Sequence, residues 1–535
     1  MKKKTGLFMA LSLTAAMAVT GCAGNTPDAN GNAAGNGEVV SDNSATDAAA
    51  TDETTAGSEG GVLYVAANFA YSSLDPHKEY YAWYDSLYGM TESLFVMGDD
   101  FDIVPKLAES GEVSDDGLTW TIVVRDDVTF SNGNSFNADI AVKNIERLAE
   151  INERFAYLDE FEIETVDDKT FTITTPEVYP TMLNDLASPE VAMIDVDNTE
   201  DFDNAPICTG PFKIKSFEPE GTVEVEKNDA YWGGNVNLDG AVFYYMQDAD
   251  AKSMAMLNGE IQAETSATAS EIELYNAEPD KYALYTVPAT RLQFYLLNQN
   301  TMDDSVRKAV NLIVDNEEIA SFLGGTTTPA VGPFSADSAY GKVTKPAVDV
   351  DAAKAALEEA GYALNADGFY EKAGKELDLN ICYYAARSLD TCAIVMQQEL
   401  ESAGIKSHLT VEEDPDATYL ATGDFDIALY CMIADRAGDP YYFLNSTLRE
   451  GSYYDVCGFD SDECEKLLDE LKYETDNSKR AELANKIVQI AIDDNAFGYI
   501  GLFNKTTVLK DGVTGYGETS PFDFYGLTAD TSLGK

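Results

Sequence analysis

An α/β architecture is predicted for this chain on two observations. Capped helical signals alternate with short apolar runs of strand character. The globular stretch from about residue 61 onward is also too long for one ordinary hydrophobic core, so two or three domains are expected. The alternation starts at residues 118–124, where LTWTIVV has strand periodicity and Arg125-Asp126-Asp127 turns out of it. Asn137 can cap a helix over 138–150 that carries Ile140, Ile145 and Leu148 near one face. Residues 306–322 read as two helical stretches closed by Gly324-Gly325. Asp351 is read as the cap of AAKAALEEA, which Gly361 ends, and a helix over 391–403 stops at Gly404. Ser478 is read as the cap of a last amphipathic helix with Leu483, Ile487, Val488 and Ile490 on its apolar stripe. Apolar strands at 292–297, 377–383, 425–433 and 499–503 lie between these helices.

The first residues set the expected compartment. Lys2, Lys3 and Lys4 precede an apolar core over 7–19, too short to span a bilayer, and Val19-Thr20-Gly21-Cys22 follows. This resembles the bacterial lipobox, so residues 1–21 are expected to be a lipoprotein signal peptide and Cys22 the lipid-attachment site. Residues 22–60 lack aromatics after Cys22 and are rich in Gly, Asn, Ala, Asp, Ser and Thr, the composition of a disordered tether. The expected location is extracytoplasmic, lipid-anchored at the cell membrane.

Composition excludes some functions and leaves others open. The chain is 45% hydrophobic and 11% aromatic, which is globular, but its formal charge is −59. That charge repels nucleic acid and anionic lipid and favours solubility. Besides Cys22 there are six cysteines, none in a CxxC pair, which permit about 15 pairings if all are oxidised. HExxH, GxSxG, GxxxxGK[ST] and GxGxxG are all absent, and the only histidines are His77 and His408. Residues 365–368 fail as a calcium loop because Ala363 would hold the first ligand position; NADGFYEKAGKELDLNICYY reads instead as two strands with glycine-containing turns. No metal site, cofactor or catalytic residue is therefore expected, and a surface-anchored hydrolase is the less favoured alternative.

Six blocks then occur in a recognisable order. They are LDPH at 74–77; TESLFVMGDDFDIVPKLAESGEVSDDGLTWTIVVRDDVTFSNGNSFNADIAVKNIERL; CTGPFKIKSFEPEGTVEVEKNDAYWGG; LNQNTMDDSVRKAVNLIVDNEEI; DAAKAALEEAGY; and GDFDIALYCMIADRAGDPYYFL. Together they resemble bacterial extracellular solute-binding protein family 5, the peptide, dipeptide and nickel receptors of ABC importers, from about Val62 to the C-terminus. The chain departs from the family at Asp127, where a Gly is usual, and at Ser131, where a His is usual.

The resemblance implies a two-lobed periplasmic-binding-protein-like fold of type II with an extra inserted sub-domain. Lobe I would comprise 61–285 plus 498–535, with the insertion at about 91–204, and lobe II would comprise 286–497. It implies a monomeric, non-enzymatic receptor that captures short peptides and delivers them to ABC permease subunits; oligosaccharides or a nickel chelate are the alternative ligands. Asp435, which follows the apolar strand 425–433, matches an acidic residue that holds a peptide's α-ammonium in relatives. Those relatives usually carry a Trp shortly before it, where this chain has Met432 and Ile433. The Arg that some dipeptide receptors use for the ligand carboxylate matches Asp390 here, with Arg387 one turn earlier. Tyr71 and Tyr84 are the aromatic candidates for ligand contact by family position.

Overall fold

The computed structural model describes residues 60–534 apart from Asp100, Arg436, Ala437 and Asp523. The readings made on residues 1–59, Cys22 among them, lie outside the described residues. Among the described residues no helix is long and apolar enough to cross a membrane.

One sheet of eleven strands organises the chain. Its order is Lys406–Glu412, Asp378–Tyr384, Ile427–Ile433, Tyr282–Leu297, Phe497–Lys510, Ala263–Glu264, Val62–Ala67, Gly240–Tyr245, Val223–Lys227 and Phe212–Phe217, with Thr327–Pro329 added beside Phe497–Lys510. The antiparallel pair Tyr282–Leu297 and Phe497–Lys510 runs through both halves of it. One end of that pair adjoins Ala263–Glu264; the other adjoins Ile427–Ile433. The register slips between Pro288 and Leu292, where one set of neighbours gives way to the other. Proline lacks a ladder donor, so a break is expected there.

The second half is a crossover unit. Asp378–Tyr384 pairs in parallel with Lys406–Glu412 and with Ile427–Ile433, and the helix Leu389–Ser402 joins the first two. Phe294, fully buried, meets Phe443 and Phe497 edge-on with centroids 5.7 and 6.1 Å away. Such ring pairs add about 0.5–1.5 kcal/mol each beyond their burial. A separate four-stranded sheet of Ala108–Val113, Thr119–Val124, Glu162–Thr165 and Thr170–Thr174 packs Trp120, Ile122 and Phe171 against Ile145 and Leu148 of the helix Ala138–Ile151. Asn137 caps that helix by accepting from the Ile140 amide.

Several expected boundaries move. Asp349, not Asp351, caps the helix Val350–Glu359, and Asp476, not Ser478, caps Asn477–Asp493. In each case an acidic side chain two residues upstream reaches the free amide first. Residues 365–384 hold three strands, Tyr370–Lys372, Lys375–Glu376 and Asp378–Tyr384, rather than two. The expected strands 292–297 and 499–503 are parts of the longer pair above. All six described cysteines are free and buried.

Candidate ligand cleft

The strand Ile427–Ile433 is buried almost throughout and runs out at Ile433, where the Ala434 amide donates to the Thr290 carbonyl at 3.0 Å. The next residue, Asp435, therefore emerges at a strand end beside the register break, into a cavity of about 760 Å³. Ligands of α/β sheets gather at such strand ends. Asp435 is 5% exposed. Its Oδ1 accepts from the Gly438 amide at 2.6 Å, while Oδ2 is buried with no hydrogen-bond partner among the described residues. Burial pushes its pKa up to about 7; the Gly438 bond works against this, and the nearby Asp439 charge adds to it.

The other acids of the cavity are already committed. Asp439 accepts from Arg480 at 2.6 Å, and that buried guanidinium also donates to the Leu471 and Glu474 carbonyls. Glu190 accepts from Trp83 Nε1 at 3.2 Å, from Arg154 at 2.6 Å and from Ser188 Oγ at 2.6 Å. Asp185 accepts from Tyr157 and Tyr179. Arg154 also stacks on Tyr80 at 4.0 Å. Among the described residues, Asp435 thus carries the cavity's buried carboxylate oxygen without a partner. Trp83, Phe522 and Phe524 supply apolar wall, with Trp83 and Phe524 5.3 Å apart.

The other sequence candidates fall nearby but not together. Tyr71 and Tyr84 pack on each other at 4.9 Å and do not line the cavity. Burial is the main cause that raises the Tyr71 phenol to about 12, and the Glu190 charge contributes. Tyr80, Tyr442 and Tyr454 line the cavity instead. Arg387 is exposed, with φ +57°, and its carbonyl accepts from Gln293 Nε2 at 2.7 Å. Sequence reasoning passed over Trp83, Arg154, Glu190 and Arg291. Only Trp83, one residue before Tyr84, had a signal to offer. His77 is bonded to Arg147 and to the Ala192 carbonyl, His408 to Asp378, and neither lines the cavity.

A second cavity of about 700 Å³ lies against Tyr231 and Trp232, which are half-buried rather than fully so. Its Glu92 is saturated by Tyr231 OH, Trp232 Nε1 and Lys106. Among the described residues no group of three or more His, Cys, Asp or Glu is placed to hold a metal ion.

Similarity to known proteins agrees with this geometry. The nickel-binding protein NikA of Staphylococcus aureus is 24% identical over 447 residues, 83% of this chain and 89% of its own length. The glutathione-binding protein GsiB of Salmonella typhi is 28% identical over 336 residues, 60% of this chain and 63% of its own length. The crystal structure of a nickel ABC transporter protein from Bacillus halodurans superposes with a TM-score of 0.82 at 28% identity, over 89% of this chain and all of that one. The family model for bacterial extracellular solute-binding proteins, family 5 (middle region), matches residues 102–455, more than half of the sequence. The chain belongs to this family of solute-binding proteins of ABC transporters.

Proposed function

We propose that this protein is a non-catalytic receptor that captures short peptides and holds the peptide α-ammonium on Asp435. The observation that carries the reading is the buried, unpartnered Asp435 Oδ2 inside the cavity. A buried carboxylate without a partner is costly, and an ammonium entering a largely dry cleft repays that cost with a charge-assisted hydrogen bond. The aromatic wall of Trp83, Phe522 and Phe524 suits varied side chains.

The two-lobe division, 61–285 plus 498–535 against 286–497, draws support from the sheet. Phe497–Lys510 pairs with Ala263–Glu264 as well as with Thr327–Pro329, and the Leu527 amide donates to the Leu87 carbonyl. The cavity takes residues from both portions. Delivery to a permease follows from the family; tethering through Cys22 is part of the proposal.

A nickel chelate is the second reading, because NikA of Staphylococcus aureus is named for nickel. Such a chelate would have to bring its own donor atoms, given the lack of a protein donor cluster among the described residues. The experiment is calorimetric titration with a tripeptide mixture and its N-acetylated counterpart. Wild type should prefer the free amine about 30-fold or more, and Asp435→Asn should lose most of that preference. Equal binding of the acetylated peptides would overturn the ammonium role, and binding of nickel–histidine but of no peptide would overturn the ligand class.

A further inference from the structure

Lys505 is 2% exposed and stands in the interior strand Phe497–Lys510 of the large sheet. It pairs with Val287, next to the register break at Pro288 where that strand passes from one half of the sheet to the other. Taking an ammonium out of water is costly unless its N–H donors find acceptors. Lys505 Nζ donates to the Phe522 carbonyl at 3.0 Å, to that of Ser520 at 3.1 Å and to that of Tyr525 at 3.4 Å. All three acceptors belong to one short segment near the C-terminus that is neither helix nor strand, so no ladder takes up its carbonyls.

That segment is a partition. Phe522 and Phe524 line the ligand cavity, while Ser520 and Tyr525 line the second one. The two phenylalanine rings stack at 5.4 Å; Phe524 meets Trp83 at 5.3 Å, and Phe522 meets Phe101 at 5.5 Å. Tyr525 OH accepts from the Met97 amide at 3.1 Å, and Met97 lines both cavities. The carbonyls that Lys505 holds therefore bracket the aromatic wall of the cleft. Replacing a buried charge by packed apolar groups is often neutral or stabilising, so stability alone does not call for a lysine here. What the ammonium adds is a point charge that gathers several carbonyls at once and so places the rings they carry.

We infer that Lys505 is a positioning residue of the cleft. Its ammonium fastens the Phe522–Phe524 wall to the strand that crosses between the halves of the sheet, and the wall so held selects ligands with a bulky apolar or aromatic group. Lys505 does not itself line the cavity, so it acts through the two rings. The inference rests on the peptide reading only for the choice of probe.

The test is calorimetric titration of the purified protein, of Lys505→Met and of Lys505→Arg with the tripeptides Ala-Ala-Ala and Ala-Phe-Ala. Wild type should prefer the phenylalanine peptide about 10- to 100-fold, the worth of one buried ring. Lys505→Met should cut that preference to about three-fold or less by weakening Ala-Phe-Ala alone. Lys505→Arg keeps a cation and should retain more of it. In a Phe522→Leu/Phe524→Leu background, Lys505→Met should lower the preference no further, because residues that act through one another are not additive. An unchanged preference in Lys505→Met, an equal loss for both peptides, or full additivity in that background overturns the role. Should Lys505→Met not fold, Gly517→Ala replaces it. A Cβ there lies 3.0 Å from the Tyr525 carbonyl oxygen and 3.3 Å from Lys505 Nζ, so it presses on the same bond and should lower the preference likewise; an unchanged preference overturns the role. If neither tripeptide binds wild type, the peptide reading falls by itself. Acrylamide quenching of Trp83 in Trp120→Phe/Trp232→Phe protein then decides the role of Lys505 without ligand. Quenching should rise in Lys505→Met, because Trp83 packs on Phe524, and equal quenching overturns the role.

Discussion

Arg147 Nη1 donates to His77 Nδ1 at 2.9 Å, so the histidine is the acceptor in a bond to a permanently charged guanidinium. The same Arg147 grips Asp75 bidentately at 2.9 and 2.7 Å, and His77 Nε2 donates to the Ala192 carbonyl at 3.0 Å. These contacts fix a neutral tautomer. The LDPH block is therefore a buried electrostatic knot that anchors the first strand's exit to the helix Ala138–Ile151, and none of its residues lines the cavity.

The first prediction follows from that knot. Burial pushes the His77 pKa down to about 4, with the Ala192 bond and Asp75 opposing and Arg147 assisting. Between pH 4 and the ordinary value of 6.5 the unfolded chain binds the proton and the folded one does not. Stability should thus fall as pH drops through that window, by roughly 1–3 kcal/mol. Denaturant unfolding of wild type and His77→Gln at pH 7.5, 5.5 and 4.5 reads the slope. The variant should start less stable but lose less on acidification; equal slopes would exclude His77 as the source.

The second concerns Gly210, where the chain enters the strand Phe212–Phe217. A Cβ there would lie 2.4 Å from the Gly89 carbonyl oxygen and 2.5 Å from that of Met90. The Gly210 amide already donates to the Met90 carbonyl at 2.9 Å, so neither backbone can retreat without breaking the turn. Gly210→Ala should cost about 2–4 kcal/mol in chemical denaturation. A loss below about 0.5 kcal/mol would mean that the two segments slide apart freely.

Parts of this molecule were legible from local sequence and parts were not. Asn137 was read correctly as a cap although Asp139, two residues on, is also competent; the caps at Asp349 and Asp476 were misplaced onto Asp351 and Ser478, competent side chains two residues downstream of the true ones. The strand-end position of Asp435 was legible because an apolar run announces the buried strand before it, while its ligand role came from the family resemblance alone. Arg291 was not. A single arginine at the start of an apolar run reads as a solvated strand edge, and only the pairing of 291 with 433 carries it to Asp435. The polar halves of the two long strands, around Thr286 and Thr507, likewise hid their length from any pattern search. There, cross-strand pairing and not hydrophobic period holds the chain extended.

The third prediction tests a contact between the expected lobes. Glu177 Oε1 lies 3.4 Å from Lys472 Nζ, and its Oε2 accepts from Tyr473 OH at 3.3 Å. Lys472 and Glu177 are 37% and 58% exposed, so this latch is a weak one, worth about 0.2–1 kcal/mol. Glu177→Gln should leave the cleft intact, raise Kd for a bound peptide about two- to five-fold through faster dissociation, and lose that difference in high salt. Stopped-flow dissociation at low and high salt checks this. A change of ten-fold or more, or one insensitive to salt, would require a structural role for Glu177 beyond a surface pair.

The last prediction is the pH dependence of Asp435, whose raised pKa of about 7 has two consequences of opposite sign. Without ligand, the folded state holds the Asp435 proton more tightly than the unfolded chain does. That contribution to stability is complete below the unfolded carboxylate value near 4 and is lost as pH rises through about 7. Asp435→Asn removes the buried charge, so the variant should match wild type in acid and overtake it above neutrality by roughly 1–3 kcal/mol. Ligand binding should run the other way. An α-ammonium pairs with the ionised carboxylate, so binding at pH 6 must expel the Asp435 proton, and affinity should weaken about ten-fold per unit below neutrality. Calorimetry at pH 6 in buffers of different ionisation enthalpy should therefore register close to one proton released per peptide bound, falling toward none at pH 7.5. Asp435→Asn should release none at either pH. Proton release that persists in Asp435→Asn would place the titrating group elsewhere in the cleft, and its absence in wild type would mean that Asp435 is already ionised before the ligand arrives.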